Sequence, residues 1–370
     1  MLRQNQESKG KGAGKALSPT TRLASMRFVG MLVILGAFLA ACTASPATQA
    51  QNQEAGDNPS GRLVLYSGRS EPLIQPVLDR FREQYPEIEI LLKSGSNSEL
   101  ANGLLEEQNN PQADVFITTE VFTIQALQQA GILQSYVSGA AGQLPPQAIG
   151  PNNEWYGLTQ RARVIMYNIE LVSEEQAPQS IFDLTDARWQ GQVASANSTN
   201  GSLQAQIAAM RQLLGEEATA EWARGMANND VTWFGGHTDV RKAVGAGEFK
   251  LGLVNHYYYY LQRAEGSPVG IVYPDQGEGE MGLLTNYTAV GIINGSGNLP
   301  AAQALVDFLL SAEGQEIFAE ANYEYPLRPG TALHPDVQPL EGFRLADVDI
   351  ARAVEDRDPT FNLIEEAGIP

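Results

Sequence analysis

Cysteine is nearly missing: Cys42 is the only one among 370 residues, which excludes an internal disulfide framework and a cysteine metal cluster. Histidine is scarce too. His237, His256 and His334 are the whole supply, little material for acid–base chemistry. The region expected to fold contains no G-x-S-x-G elbow, no zinc-type histidine pair, no P-loop and no internal repeat. Gly277, Gly279 and Gly282 have dinucleotide spacing, but Glu278 and Glu280 would repel a pyrophosphate, and an apolar strand follows where a helix is needed. The reading is therefore not an enzyme; an anchored enzyme or assembly factor would need a catalytic constellation that the sequence does not offer. Positive charge is short as well, with 24 basic residues against 43 acidic ones.

No apolar run reaches the roughly 20 residues that a membrane span needs. A basic stretch ending at Arg27 leads into an apolar block over 28–41, and Cys42 follows, the layout of a cleaved export signal. Leu39, Ala40, Ala41 and Cys42 resemble the bacterial lipobox, in which the cysteine thiol receives diacylglycerol. The expectation is a lipoprotein signal peptide over 1–41, with Met26 and Met31 as alternative start codons. A flexible tether follows over 42–61, rich in Ala, Gln, Asn, Pro and Ser, which would hold the folded part at the outer face of the cell membrane or in the periplasm. Removing 1–41 leaves 18 basic and 42 acidic residues, a net charge of −24. Such a surface repels nucleic acid and attracts cations without specifying one.

From Arg62 onward, short apolar runs alternate with longer amphipathic segments, which predicts an α/β fold with mostly parallel sheets. Strands are expected at 63–66, 88–92, 115–117, 160–167, 191–196, 251–254 and 289–293. Helices are expected at 73–85, 98–108, 202–214, 240–246 and 301–310, with another starting at Tyr257. The first of them places Leu73, Val77, Leu78 and Phe81 on one face. About 270 residues exceed what one core holds, so two lobes joined by hinge strands are expected. The boundaries fall at 62–160 plus 286–328 for one lobe, and 161–285 plus 329–370 for the other with its tail. A cleft between them would collect residues from strand ends.

The densest feature is Asn255-His256-Tyr257-Tyr258-Tyr259-Tyr260, directly after the apolar strand. Four consecutive tyrosines cannot all be core in a regular strand or helix, but at a strand-to-helix junction two neighbours can turn into one cleft. Phenolate oxygen is a hard anionic donor suited to Fe(III), which can displace the proton of a phenol whose free pKa is about 10. Capture would then be acid-labile. Tyrosine is also common in β-rich cores and sugar-binding clefts, so the run alone leaves these readings open.

The stretch from Leu63 to about Pro329 resembles the ferric-iron-binding family of class II periplasmic binding proteins. The motifs that carry the likeness are Leu65-Tyr66-Ser67-Gly68-Arg69, Ala113-Asp114-Val115-Phe116, Arg161-Ala162-Arg163-Val164-Ile165-Met166-Tyr167-Asn168, Asn255-His256-Tyr257-Tyr258 and Tyr323-Glu324-Tyr325-Pro326-Leu327. The resemblance implies a two-lobed type II fold and a monomeric solute-binding component of an ABC importer. It would take up Fe(III) or its chelates and deliver iron to a permease. By position, it implies Tyr257 and Tyr258 as iron ligands, Tyr259 and Tyr260 as packing residues, and Arg161 or Arg163 as the holder of an accompanying anion or the support of a phenolate.

The sequence also departs from that family. Ser70 stands where many members have a histidine or tyrosine, Thr119 where some have a glutamate (with Glu120 one residue on), and Ser202 where a subgroup has a third tyrosine. Two phenolates leave Fe(III) with one uncompensated positive charge, so a carbonate or phosphate is expected beside it. Ser198, Thr199, Asn200, Gly201 and Ser202 precede a helix whose first N–H groups could hold that anion with Arg161 or Arg163 and Asn255; an ordinary helix cap is the alternative. Ser70, Glu120, His237 and His256 remain as possible further ligands. A second reading keeps the fold and replaces iron by a small organic anion or phosphonate.

Overall fold

The computed structural model describes residues 58–352 and 355–370, all within one compact unit, Gly56–Pro370. The proposed signal, Cys42 and nearly all of the tether lie outside the described residues. Among the described residues, no helix is long and apolar enough to cross a membrane.

In chain order the strands and helices are β1 (Gly61–Ser67), α1 (Glu71–Gln84), β2 (Ile88–Ser94), α2 (Asn97–Glu106), β3 (Val115–Thr118), α3 (Val121–Gln129) and β4 (Leu133–Gln134). Next come β5 (Tyr156–Asn168), β6 (Val193–Ala196), α4 (Gly201–Leu214), α5 (Glu216–Asn228), β7 (Thr232–Phe234), α6 (His237–Gly245), β8 (Leu251–Asn255) and α7 (His256–Ala264). The chain closes with β9 (Val269–Val272), β10 (Thr285–Ile293), α8 (Leu299–Leu310), α9 (Ala312–Asn322), β11 (Tyr325–Pro326) and α10 (Arg357–Glu366).

Alternation of apolar residues sets these elements. Helix α1 buries Leu73, Ile74, Val77, Leu78 and Phe81, the expected face with one addition. The strand order is β2-β1-β3-β10-β5-β8-β6-β7. Pairing is parallel between β1, β2 and β3 at one end and between β8, β6 and β7 at the other. It is antiparallel wherever the long strands β5 and β10 take part.

Strand β5 is the pivot of this arrangement. Its first half pairs with β10 and β11, and the second, from Arg163 on, pairs with β8 and β9. Twelve of its 13 residues are buried, because both ends run between neighbours, and that forces Arg161 and Arg163 into the interior. One core gathers around β1, β3 and β10, with Phe81, Phe116 and Trp155. A second contains Trp189, Trp222 and Leu251, and the tail joins it through Leu363, Ile364 and Ile369.

One buried carboxyl works against this stability. Asp275 is 2% exposed, has φ of 63° and accepts a hydrogen bond from Ser180 Oγ at 2.5 Å. Burial raises its pKa to about 6 despite the Ser180 hydroxyl, with Glu280 adding to the rise. A pKa raised on folding means that the protonated form fits best, so its contribution is complete below the unfolded value near 4 and is lost as pH climbs through about 6. Asp275→Asn keeps an acceptor and tolerates the left-handed backbone. It is expected to stabilise the protein by about 1–2 kcal/mol at pH 7 and by much less at pH 4, checked by thermal melts at both values.

Candidate functional site

Strand β8 is buried at all five positions and ends where α7 begins, so the first turn of α7 sits at a carboxyl strand end, where α/β sheets place their ligands. Asn255 occupies the N-cap position without capping through its side chain; its Nδ2 instead donates to Ser202 Oγ at 3.0 Å. The four tyrosines fill that first turn, and all four are buried, between 3% and 9% exposed. The expectation that they could not all be interior is thus corrected. The turn is enclosed on every side, and different partners take the diverging rings: Tyr260 meets Tyr273 at 3.0 Å between hydroxyls, while Tyr257 and Tyr258 pack in an apolar cluster with Val164, Val254 and Leu283.

Tyr257 and Tyr258 stack at an angle, centroids 4.2 Å apart and planes 33° from parallel. Three buried arginines act on this pair electrostatically: Arg69 on both rings, Arg161 on Tyr258 and Arg163 on Tyr257. Arg69 follows β1 and makes a two-pronged pair with Glu324, which also accepts from Thr159. Arg161 donates to the Thr119 carbonyl and to Asn286 Oδ1. Arg163 donates from Nε to Gln206 Oε1 at 2.7 Å and meets His237 Nε2 at 2.8 Å.

An arginine cannot accept, so His237 Nε2 carries no proton. Burial first, then Arg163 and Arg161, hold the His237 pKa well below its ordinary value. Burial also pulls Arg163 down, to about 9, against the pull of Tyr257 and with Arg161 adding to the fall; it stays charged at neutral pH. Burial and the neighbouring Tyr257 phenol raise Tyr258 well above 10, with Arg69 and Arg161 opposing. Tyr258 is therefore a protonated phenol until a cation displaces its proton.

Arg161, Arg163, Ser202, Gln206, Asn255 and Asn286 line a narrow pocket of about 20 Å³, room for one water-sized occupant. Arg161 Nε, Arg163 Nη2 and Arg69 Nε are buried without a hydrogen-bond partner. Buried donors of this kind are costly unless an acceptor meets them. Arg69 has Glu324, but no carboxylate forms an ion pair with Arg161 or Arg163 among the described residues. The interior is set up for negative charge.

Other expected contributors are engaged elsewhere. The helix-start amides are mostly spent: Ser198 N donates to the Pro370 carbonyl oxygen and Asn200 N to that of Asn197, while Thr199 N donates to Asn197 Oδ1 and Ser202 N to Asn200 Oδ1. This run is an ordinary helix start, and only its Ser202 hydroxyl reaches the arginine pocket. Glu120 is fully buried and caps α3 by accepting from Thr123 N; Asn97 and Thr118 take its remaining capacity. His256 accepts from Ala162 N through Nδ1 and donates through Nε2 to the Tyr323 carbonyl, so neither nitrogen is free for a metal. Burial lowers its pKa to about 3. Ser70 is exposed at the start of α1. His237 lies against Tyr258, 5.3 Å between ring centroids, with its Nε2 taken by Arg163.

Arg69, Glu324 and Gln206 surround the tyrosine pair and were assigned no site role from the sequence, although Arg69 and Glu324 fall in two of the motifs quoted above. A faint signal existed for two of them: each charged residue is set in a short polar break beside buried apolar or aromatic neighbours, which rarely leaves a charge unpaired. Among the described residues no cluster of three His, Cys, Asp or Glu could hold a metal.

Gly201 brings the start of α4 against the starts of α2 and α3. A Cβ there would lie 2.6 Å from Glu120 Cγ and 2.7 Å from Asn97 Nδ2, and both neighbours are pinned by the bonds described. Gly201→Val is expected to lower stability by about 1–3 kcal/mol through overpacking, read as a fall in Tm, and to loosen the wall beside Ser202.

Residues 110–354 match the family described as bacterial extracellular solute-binding protein. The chain is 29% identical over 312 residues to the Fe(3+)-binding periplasmic protein of Serratia marcescens, covering 83% of this chain and 90% of that one. It is 30% identical over 290 residues to iron uptake protein A2 of Synechocystis sp., covering 75% and 81%. Among solved structures, iron-bound HitA from Pseudomonas aeruginosa matches with a TM-score of 0.77 at 27% identity, over 83% of this chain and 99% of that one. The fold is that of the two-lobed type II periplasmic binding proteins. With the match covering most of the folded region and the phenol pair at its strand end, the chain belongs to the bacterial extracellular solute-binding protein family.

Proposed function

We propose that this protein is the solute-binding component of an ABC importer, which captures Fe(III) through Tyr257 and Tyr258 and delivers it to a membrane permease. One observation carries the reading: two adjacent phenols, each at least nine-tenths buried, lie within electrostatic reach of three buried arginines. Hard oxygen donors select a hard trivalent ion. Two phenolates and Fe(III) sum to one positive charge, and Arg161 and Arg163 add to it, so a bound anion completes the neutralisation. Carbonate, phosphate or a carboxylate of an iron chelate would meet the orphaned Arg163 Nη2, with Ser202 and Asn255 beside it.

The protein works as a monomer anchored through Cys42 and the 42–61 tether. Its lobes, 62–160 plus 286–328 and 161–285 plus 329–370, close about β5 and β10. The change of partners along β5 near Arg161 supports that division. Titration of ferric citrate into the purified protein is expected to give a visible phenolate-to-iron absorption that saturates at one iron per chain. A colourless mixture rejects iron as cargo. The two arginines without carboxylate partners favour a second reading, a phosphonate or small organic anion alone; a rise in Tm with phosphonates and none with iron selects it.

A further inference from the structure

Arg163 differs from Arg69 in what grips it. No carboxylate pairs with it among the described residues. It is 4% exposed, its Nε donates to Gln206 Oε1 at 2.7 Å, and its Nη1 meets His237 Nε2 at 2.8 Å. We infer that Gln206 and His237 are positioning residues for ferric capture: they fix Arg163 beside the tyrosine pair with its charge uncompensated, and so make iron binding depend on a co-bound oxyanion. This rests on the proposed ferric function and adds the residues that set its anion requirement.

Three elements build the grip. On β5, Arg163 lies opposite Asn255 of β8, and its N–H donates to the Leu284 carbonyl, which pins the base of the side chain. On α4, Ser202 and Gln206 stand four residues apart and share one face. Ser202 Oγ accepts from Asn255 Nδ2 at 3.0 Å, which sets α4 against β8 and brings Gln206 to the guanidinium. His237 opens α6 and closes the third side. Both acceptors are 3% exposed, so water does not compete for Arg163. Nη2 is left as its one nitrogen without a partner, and the residue lines the small pocket shared with Ser202 and Asn255.

The neutrality of the two acceptors is the point. Arg69 and Glu324 cancel as a pair, whereas an amide oxygen and an imidazole nitrogen satisfy the donors of Arg163 and leave its charge in place. A buried cation without an anionic partner is costly, and an oxyanion entering with iron removes that cost. His237 joins the two halves of the site, because its ring also packs edge-on to Tyr258 with centroids 5.3 Å apart.

The test supplies iron to the full chain as ferrous perchlorate oxidised in carbon-dioxide-free air, so that no chelator stands in for the anion. Visible iron absorption is read with and without inorganic phosphate, and Tm of the iron-free protein is followed in parallel. In wild type, phosphate should lower the iron concentration at half-saturation about tenfold or more. Gln206→Glu puts a carboxylate of the same shape on Arg163, and its response to phosphate should shrink to about twofold or less. Gln206→Leu and His237→Leu free the guanidinium and should weaken the apparent phosphate affinity by about 10–100-fold. His237→Gln keeps an acceptor and should recover most of that loss. A merely structural role would lower Tm and leave the phosphate response at its wild-type size; that result in the Leu variants, or a wild-type response in Gln206→Glu, overturns the inference. A wild type that stays colourless at every phosphate level overturns the ferric function and this inference together, whereas one that colours alike with and without phosphate overturns the inference alone.

Discussion

Tyr257→Phe/Tyr258→Phe is expected to abolish the visible iron absorption and to weaken ferric binding by at least about a thousandfold, ~4 kcal/mol. Loss of an outer-shell partner costs a metal site about 10–100-fold, and here both proposed anionic donors would leave together. Each single variant keeps one phenolate and should show a weaker, shifted band. The fold should not suffer. Both rings already sit in an apolar cluster with Val164, Val254 and Leu283, and each Phe removes a buried hydroxyl, so Tm of the iron-free protein should hold steady or rise. Retained colour in the double variant rejects the phenols as ligands, whereas lost colour with a collapsed Tm points to a structural role instead. Because iron must displace phenol protons, binding should release up to two protons per ion and weaken by up to about a hundredfold per pH unit on acidification, measurable in weakly buffered solution.

Arg69→Met should destabilise the fold by about 3–5 kcal/mol, the usual result of stripping one partner from a buried ion pair. Side chains of Arg69 and Glu324 are 1% and 0% exposed, so solvent cannot replace the missing guanidinium. Burial pushes the Glu324 carboxyl up, but Arg69, Arg161 and the Thr159 hydroxyl outweigh it and hold it below its ordinary value. A depressed carboxyl contributes stability above its unfolded pKa of about 4.3, and that contribution is lost as pH falls through the folded value. Wild type should therefore keep this contribution at pH 5, while Arg69→Met should be most unstable at neutral pH and recover relative to wild type on acidification. Arg69→Met/Glu324→Leu should regain most of the stability, since a packed apolar pair is often as good as the ion pair it replaces. Its ferric affinity then reports whether the pair does more than hold the fold, since removing both partners leaves the net charge beside Tyr257 and Tyr258 unchanged. Full iron affinity in that double variant would confine Arg69 to the scaffold.

Every strand expected from the sequence forms at its place, because β-branched and apolar runs between polar breaks have no other way to hide. The helices from α1 to α8 that were expected also form, within a few residues at their ends. Those not anticipated, α3, α5, α9 and α10, carry their apolar residues on faces completed by neighbours distant in sequence. The short strands β4, β9 and β11 are likewise defined by partners, β10 and β5, more than by their own residues.

The acidic balance, the α/β alternation and the adjacent phenols after an apolar strand are local properties, fixed by residue type and spacing. The sequence alone determined them. Tertiary structure decided which of the polar candidates remain available. Glu120 went to a helix cap, both nitrogens of His256 to backbone groups, and the 198–202 amides to their neighbours, while Arg69 and Glu324, 255 positions apart, became a pair. A hydrogen-bonding group is used by whichever partner packing brings within about 3 Å, and that proximity is a property of the folded chain.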